Sequence, residues 1–407
     1  MALSSTFLSL VFLTLTVAGN LIQVRNGAIS IPMVKQMNTT GIVKTVERDQ
    51  ARAKYLKGSG KYQVHSRASS SSVSATSDSL RYVVNVGVGS PATYYSLLID
   101  TGSSNAVVGV NKAYVATSTS VDTGDQVEVQ YGSGAFIGEE YNDTVTLGNL
   151  VISQQSIAVP SYAEGFTDMD GILGVGPTDL TEDTVTNMNT VPTVTDNLYS
   201  QGLISEYLMA LSFEPATSDS DSNGELTFGG TDSSKYTGSI NYVPLTTTSP
   251  SSTFWGIDQS ITYGSSNTEI LTSTAGVVDS GTTLTLIASD AFSRYQQATG
   301  AVQDENTGLL RITADQYDQL ESLYFNIGGQ IYEFTANAQI WPRSLNSAIG
   351  GSSDNIYLVV TDIGSDTGSG MDFINGLTFL ERFYSVFDTG NSRVGFASTS
   401  YTNATTN

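Results

Sequence analysis

The chain has 407 residues, no Cys, one His and a formal net charge of −22 at neutral pH. Without Cys it has neither disulfides nor a Cys-His pair. The single His65 lies far from the motifs described below, so a Ser-His-Asp triad and a His-ligated zinc site lack essential parts. Among common hydrolytic devices, paired carboxylates remain.

Residues 1–19 have the pattern of a secretory signal peptide. A short apolar run from Phe7 to Leu15 is followed by the small residues Ala18 and Gly19, which predicts cleavage near Gly19. A buried N-terminal helix is the alternative. No later segment is long and apolar enough to span a membrane. We therefore expect a secreted, extracellular protein with no membrane partner.

Residues 20–69 are predicted to form a basic pro-segment. From Asn20 to Arg81 the chain carries a net charge of +7, whereas the body from Tyr82 onward carries −29. Basic segments often bind nucleic acid, but one that follows a signal peptide and precedes an acidic body favours an intramolecular, ion-paired cover. We expect no nucleic-acid partner.

Residues 43–57 are predicted to form a helix within this cover. Lys44, Arg48 and Arg52 are spaced four residues apart and share one face; a solvated charged helix is the alternative. The Ser-rich stretch from Ala68 to Ser79 is typical of a flexible linker. Activation cleavage is expected between Arg67 and Ser79.

The remaining body is predicted to be all-β. Alternating runs such as 82–88 and 126–131 are separated by Gly, Asn and Asp. We expect helices only at Thr193–Gln201, Ser289–Thr299 and Ala314–Glu321. The body is too long for one ordinary core, and we divide it into an N-terminal β lobe, 70–245, and a C-terminal β lobe, 246–407.

One motif occurs twice in the body. Residues 97–104 read Leu-Leu-Ile-Asp-Thr-Gly-Ser-Ser, and residues 276–283 read Gly-Val-Val-Asp-Ser-Gly-Thr-Thr. In each copy an apolar strand runs into an aspartate, Asp100 or Asp279, although a buried carboxylate is costly unless it is hydrogen-bonded. A strand followed by an Asx turn is the alternative for one copy. Two copies favour two halves that each contribute one aspartate to a shared site.

Further segments have the order found in one protease family. They are a Tyr-Gly turn at 131–134, apolar-apolar-Gly segments at 170–174 and 373–376, and the stretches 224–232, 236–238, 384–388 and 394–397. With the repeated motif, they resemble the pepsin-like aspartic proteases over nearly the whole body. In its lack of Cys and in the sequence of residues 192–198, the chain is most similar to the basidiomycete fungal branch of that family.

The resemblance implies a bilobal fold with a central substrate cleft and an aspartic endopeptidase that activates water with two carboxyls at acid pH. It implies no metal and no cofactor, protein and peptide substrates with apolar or aromatic residues around the scissile bond, and a monomer. The implied catalytic residues are Asp100 and Asp279; the substrate-binding residues are Gly102, Tyr131, Gly132, Ser133, Gly281, Thr282 and Thr283; and the residues that support the pair are Thr101, Ser103 and Ser280. Possible N-glycosylation sites are Asn142 and Asn403.

The resemblance also implies a zymogen whose pro-segment places a Lys and a Tyr in the cleft. Lys54-Tyr55 and Lys61-Tyr62 are both candidates. The family usually has Trp where this chain has Val107, which leaves Tyr131 without its usual hydrogen-bond partner. Asn375 also replaces the more usual Leu.

Two other functions remain open at this stage. A catalytically silent pepsin-like binding protein would typically have lost an aspartate or distorted its loop, and both loops are intact here. A two-carboxylate glycosidase needs carboxyls farther apart and an aromatic sugar cleft, for which the chain offers only Trp255 and Trp341.

Overall fold

The structure, a computed structural model, describes residues 23–25, 27–37, 45–58, 80–132, 134–166, 169–215 and 220–407. The predicted signal peptide and the linker 68–79 lie outside these residues. Strands dominate the described chain: β1 (Gln23–Arg25), β2 (Ala28–Met37), β3 (Leu80–Val88), β4 (Thr93–Asp100), β5 (Ala106–Val108), β6 (Val121–Tyr131), β7 (Gly134–Leu147), β8 (Leu150–Glu164), β9 (Gly171–Gly174), β10 (Leu208–Ser212), β11 (Ser220–Phe228), β12 (Thr237–Pro244), β13 (Gly256–Tyr263), β14 (Thr268–Val278), β15 (Thr285–Ile287), β16 (Val302–Gln303), β17 (Leu310–Ile312), β18 (Leu323–Ile327), β19 (Gln330–Phe334), β20 (Ile356–Leu358), β21 (Val360–Asp362), β22 (Phe373–Asn375), β23 (Phe383–Asp388) and β24 (Arg393–Ser398).

The α-helices of the described chain are short. They are α1 (Thr45–Gly58), α2 (Val194–Ser200), α3 (Ser289–Thr299), α4 (Ala314–Tyr317) and α5 (Leu377–Leu380), and 3-10 turns cover Thr178–Thr181, Ser251–Thr253, Arg343–Ile349 and Thr389–Asn391. The predicted bounds of α3 are confirmed, and α2 begins after Thr193, whose side chain forms a capping box with Asp196. Helix α4 ends before the predicted Glu321 because the chain turns to enter β18. Helix α5 was not predicted. None of these helices is long and apolar enough to cross a membrane.

The same strand arrangement occurs around both copies of the aspartate motif. Strand β4 is parallel to β9, which is antiparallel to β5; likewise β14 is parallel to β22, which is antiparallel to β15. Asp100 ends β4 and Asp279 directly follows β14. Each motif loop therefore leaves an interior strand of its sheet, where neighbouring strands restrain it on both sides.

The two halves are joined by a common sheet. This large sheet has fourteen strands, β1 to β12 of the first half with the C-terminal strands β23 and β24, which pair with β10 and β12. A separate seven-stranded sheet in the second half consists of β13, β14, β15, β18, β19, β21 and β22. The predicted division at 245 falls between β12 and β13 and stays a prediction.

Strand β2, which lies in the predicted pro-segment, was not anticipated. It lies in the large sheet between β11 and β3. Its Lys35 is fully buried, and the Nζ atom lies 2.6 Å from Glu381 Oε1 and 3.2 Å from the main-chain oxygen of Glu214. The basic segment thus contributes a strand to the large sheet, in addition to the cover over the body that the sequence predicts.

Substitution Glu140→Gln is expected to stabilise the fold above neutral pH. Burial raises the pKa of Glu140 from 4.5 to about 7, with a smaller contribution from Asp125, although a hydrogen bond from Ser156 opposes the rise. Because the folded pKa exceeds the unfolded one, the carboxyl contributes stability below pH 4.5, and this contribution is lost as the pH rises to about 7. The loss amounts to about 3 kcal/mol, and glutamine avoids it.

The measurement is the free energy of unfolding in urea across this pH range. Glu139→Gln, an exposed neighbour on β7, is the matched control. If both variants depend on pH as the wild type does, the assignment to Glu140 is wrong.

Candidate active site

Asp100 is buried at the end of β4, and its own loop supplies its hydrogen bonds. Gly102 N–H donates to Oδ1 at 2.9 Å, and Ser103 Oγ donates to Oδ2 at 2.6 Å. Two donors of this kind favour the ionised carboxyl and satisfy it away from water.

Asp279 has the same arrangement in the second half. Gly281 N–H donates to its Oδ1 at 3.0 Å, and Thr282 Oγ1 donates to its Oδ2 at 2.6 Å. The two glycines also allow the loops to approach each other. A Cβ atom on Gly102 would lie 2.6 Å from Asp279 Oδ1, and one on Gly281 would lie 2.5 Å from Asp100 Oδ1. Any side chain at either position would push the carboxyls apart.

Thr101 and Ser280 bind across the interface between the halves. Thr101 Oγ1 donates to the main-chain oxygen of Val278 and Ser280 Oγ to that of Ile99, each at 3.0 Å. In return, Ser280 N–H donates to Thr101 Oγ1 at 2.9 Å and Thr101 N–H to Ser280 Oγ at 3.1 Å. These four reciprocal bonds join the two loops directly below the carboxyls.

A cation from the predicted pro-segment lies between the two carboxyls. The Nη2 atom of Arg52 lies 2.5 Å from Asp100 Oδ1 and 2.9 Å from Asp279 Oδ1, and its Nε lies 2.6 Å from Asp279 Oδ2. Because one nitrogen atom binds an oxygen of each carboxyl, the two aspartates meet at a single point. The guanidinium forms a fork that suits this pair of acceptors.

Of the two Lys-Tyr candidates, Lys54 does not reach the carboxyls, and Arg52 takes that place. Helix α1 turns Asp49, Arg52 and Leu56 inward, which is the three-to-four-residue spacing of one helix face, and Lys54 lies on the exposed side. Tyr55, its predicted companion, is half-buried and packs against Tyr131 with the ring centroids 6.5 Å apart. The alternative pair, 61–62, lies outside the described residues.

The environment formed by Arg52, Asp100 and Asp279 shifts the pKa values of the two carboxyls in opposite directions. Burial raises the pKa of Asp100, and Asp279 adds to the rise while Arg52 opposes it. Burial also acts to raise the pKa of Asp279, but the charge and hydrogen bonds of Arg52, with those of Thr282 and Gly281, outweigh it and lower that pKa. Burial alone would lower the pKa of Arg52, whereas the two carboxylates raise it. Arg52 therefore stays charged and favours the ionised form of both acids.

A second residue of the predicted pro-segment binds beside the Asp279 loop. The buried Asp49 accepts the N–H groups of Thr283 and Leu284 on one oxygen, at 3.1 and 2.8 Å. Arg48 bridges Asp49 to Thr283 Oγ1, at 2.7 and 2.6 Å. The predicted substrate-binding residue Thr283 is thus bound by the chain's own helix.

The Tyr131 turn covers the site. It joins β6 to β7, and the Tyr131 ring lies 5.6 Å from that of Phe166 and 6.2 Å from that of Phe136. A Cβ atom on Gly132 would collide with the main chain of Arg52, so α1 packs directly under the turn. Ser133 lies outside the described residues.

Val107 changes the environment of Tyr131. It is fully buried in the same hydrophobic cluster, where it offers an apolar surface. Among the described residues the buried Tyr131 hydroxyl has no hydrogen-bond partner. Burial, Asp100 and Tyr55 raise its pKa, so it stays protonated and able to donate.

A pocket opens between the carboxyls and this turn. Apart from Arg48 and Arg52 of α1, its wall is largely apolar. It includes Leu98, Tyr131, Phe166, Met169 and Ile172. The described residues contain no group of His, Asp and Glu that could hold a metal ion.

The unusual Asn375 has a buried partner that sequence reasoning missed. Its Nδ2 donates to Gln259 Oε1 at 2.8 Å, and Gln259 Nε2 donates to Asn375 Oδ1 at 3.2 Å. The Asn375 main-chain oxygen accepts Asp279 N–H at 3.1 Å. By strand register, the corresponding residues of the first half are Val86 and Leu173. The signal available in the sequence was that two amide residues stand at positions where the first half of the repeat has apolar residues.

The two predicted glycosylation positions differ in exposure. Asn142 is half-buried within β7, which pairs on both sides, with Val121 and with Ser156. Asn403 is exposed in a turn.

Comparisons with known proteins agree with this geometry. The model of the family described as "Eukaryotic aspartyl protease" matches residues 81–399. Polyporopepsin from Irpex lacteus is 66% identical over 338 residues, which cover 83% of this chain and 99% of that protein. Pepsin A from Suncus murinus is 30% identical over 338 residues, covering 78% of this chain and 81% of that protein.

A solved structure is similar over most of its length. The crystal structure of aspartic proteinase from Irpex lacteus superimposes with a TM-score of 0.81 at 59% identity, and the match covers 93% of this chain and 100% of that chain. The residues matched by the family model, 81–399, include both aspartate loops and the Tyr131 turn.

Substitution Asn375→Leu is expected to destabilise the protein by about 1–3 kcal/mol, because it leaves the buried Gln259 amide unpaired. The double variant Gln259→Val/Asn375→Leu reproduces the apolar pair of the first half and should recover most of that loss. Urea unfolding of the wild type, both single variants and the double variant gives the coupling free energy. Additive effects would contradict a direct interaction.

Proposed function

Because the chain belongs to the eukaryotic aspartyl protease family, we propose that Asp100 and Asp279 are the catalytic residues of this pepsin-like aspartic endopeptidase. The fold is the bilobal, all-β fold of that family, and its enzymes act on proteins and peptides. The observation that carries the assignment is the convergence of both carboxyls on one nitrogen atom of Arg52. Intact motif loops give no support to a silent binding protein.

In the proposed mechanism the pair acts on a water molecule. Once Arg52 has left, two carboxyls about 3 Å apart cannot both ionise, which is the behaviour known for aspartic proteases as a class. The ionised carboxyl takes a proton from the water as it attacks the scissile carbonyl, and the protonated carboxyl donates to the carbonyl oxygen. The same groups later return a proton to the leaving amine. No metal or cofactor takes part.

The neighbouring residues hold and cover this reaction. Ser103 and Thr282 orient the outer carboxyl oxygens, and Thr101 and Ser280 hold the loops together. Gly102, Gly281, Thr282 and Thr283 line the cleft with main-chain groups for the substrate. Tyr131 and Gly132 close over it, and Ser133 is proposed to bind substrate beside them. The bonds of Asp49 to this surface support the assignment, since a peptide carbonyl oxygen can take the same donors.

The substrate preference proposed is for apolar or aromatic side chains next to the scissile bond. The wall formed by Leu98, Phe166, Met169 and Ile172 supports this, because it offers apolar surface within reach of Asp100.

We further propose that the protein is made as a secreted, monomeric zymogen, with residues 1–19 as signal peptide and 20–69 as pro-segment. The buried contacts of Lys35, Asp49 and Arg52 with the body support autoinhibition. Asn403 is the more accessible of the two glycosylation positions.

Acid release follows from the ion pairs. Arg52 lowers the pKa of Asp279 and opposes the rise at Asp100, so the closed form is favoured while both carboxyls are ionised. Stability of the closed form is therefore present at neutral pH and lost as the pH falls and a carboxyl binds a proton. Cleavage between Arg67 and Ser79 then makes opening irreversible.

Asp100→Asn and Asp279→Asn are each expected to lower activity on denatured haemoglobin at acid pH by at least about 100-fold, because each removes one proton-transfer group. Asp290→Asn, on α3, is the control and should retain activity. Statine inhibitors of the pepstatin type should block the wild type, whereas chelators and thiol reagents should not. Either dyad variant with a tenth of the wild-type rate would refute the assignment. Mapping the cleaved bonds tests the substrate preference.

Arg52→Ala is expected to make the intact chain active closer to neutral pH, since it removes the cation between the two carboxyls. Lys54→Ala, on the exposed side of the same helix, is the matched control and should leave the activation profile unchanged. Mass and N-terminal sequence of the secreted protein, followed with activity at neutral and acid pH, give the measurement. An Arg52→Ala chain that stays latent over the same pH range as the wild type would contradict the latch.

A further inference from the structure

Trp255 connects the two halves of the molecule behind the carboxyl pair. It lies directly before β13, is 3% exposed, and packs on Phe387 with the ring centroids 5.3 Å apart. Its indole Nε1–H donates to the main-chain oxygen of Val175, in the first half, at 3.1 Å. This bond is separate from the four bonds made by Thr101 and Ser280.

Both ends of this contact lead to a catalytic strand. Val175 N–H donates to the main-chain oxygen of Asp100 at 2.9 Å, and the main-chain oxygen of Trp255 accepts Val278 N–H at 3.1 Å. Val278 immediately precedes Asp279. Three hydrogen bonds thus run in series from the carbonyl group of Asp100 to the residue before Asp279.

The position of this series gives it a specific effect. The bonds of Thr101 and Ser280 join the loops next to the carboxyls, whereas the Trp255 series joins the main chain of Asp100 to that of Val278 through a separate set of residues. Buried hydrogen bonds are directional and strengthen one another. Two layers of bonds restrain both the distance and the tilt between the strands, while one layer would leave the tilt free.

We propose that Trp255 is a positioning residue that sets the separation of the Asp100 and Asp279 carboxyls through its indole N–H. It acts through the main chain of Val175 and Val278. Loss of the N–H lets the two strands tilt, moves the carboxyls apart and weakens the sharing of their proton. The two macroscopic pKa values of the pair then approach each other.

The test compares the chain's two tryptophans. Trp341 is equally buried, at 2%, and its Nε1 donates to the main-chain oxygen of Leu345 at 3.1 Å within its own half. Trp255→Phe and Trp341→Phe each remove one buried indole N–H. Both proteins, produced as the full chain and activated as the wild type is, are compared in kcat, KM, the pH profile of kcat/KM and urea unfolding.

Trp255→Phe is expected to lower kcat by about 3- to 10-fold, the equivalent of one buried hydrogen bond, with little change in KM. It should also narrow the bell-shaped pH profile. Trp341→Phe should lose similar stability with kcat and the width of the profile unchanged. Equal effects of both variants, or an unchanged profile for Trp255→Phe, would overturn the proposal.

Two further variants separate the hydrogen bond from the packing. If Trp255→Phe does not fold, β-(3-benzothienyl)alanine at position 255 keeps the shape of the ring without the N–H and should give the same narrowing. Phe387→Leu removes the packed ring but keeps the N–H and should leave the profile width unchanged. A narrowed profile in Phe387→Leu, or a normal one with the analogue, would show that the N–H has no positioning role. An inactive wild type would instead refute the catalytic assignment.

Discussion

Two carboxylates of like charge are buried next to each other, and the rest of the structure depends on making that arrangement stable. Burial acts to raise the pKa of both acids, and the charge of Asp279 adds to the rise at Asp100. Each carboxyl is stabilised by two hydrogen bonds from its own loop, one from a hydroxyl group and one from a main-chain N–H group. Each loop leaves an interior strand, because only a restrained main chain can keep those donors in place. The repeated strand arrangement provides this restraint once in each half.

The predicted pro-segment interacts with the same buried pair of carboxyls. A buried pair of carboxylates attracts a cation strongly, and Arg52 meets both with one planar group. Its neighbour Asp49 has the opposite charge and binds main-chain N–H groups, while Lys35 binds Glu381 from within the sheet. Charged side chains of the basic segment thus each bind complementary groups of the acidic body. The long-range attraction between a basic segment and an acidic body acts together with these buried, directional contacts.

The two halves repeat one strand arrangement with different side chains, some of which lie beside the site. The second half replaces the buried pair Val86 and Leu173 with the amides Gln259 and Asn375. Val107 supplies an apolar wall where a hydrogen-bond donor is more usual, so the Tyr131 hydroxyl is unpaired among the described residues. A lone buried amide is costly, and a pair satisfies itself.

The sequence by itself determined the all-β class, the two aspartates and the donors around them, because these depend on local order: a strand, an Asp, a hydroxyl residue and a Gly. It also located α1 and the basic charge of the segment that contains it. Tertiary structure alone decided that Arg52 and not Lys54 reaches the carboxyls, since helical spacing defines faces without saying which face turns inward. It likewise decided that β2 enters the sheet and that Trp255 bonds to Val175. Those contacts join residues far apart in the chain, and no local pattern records them.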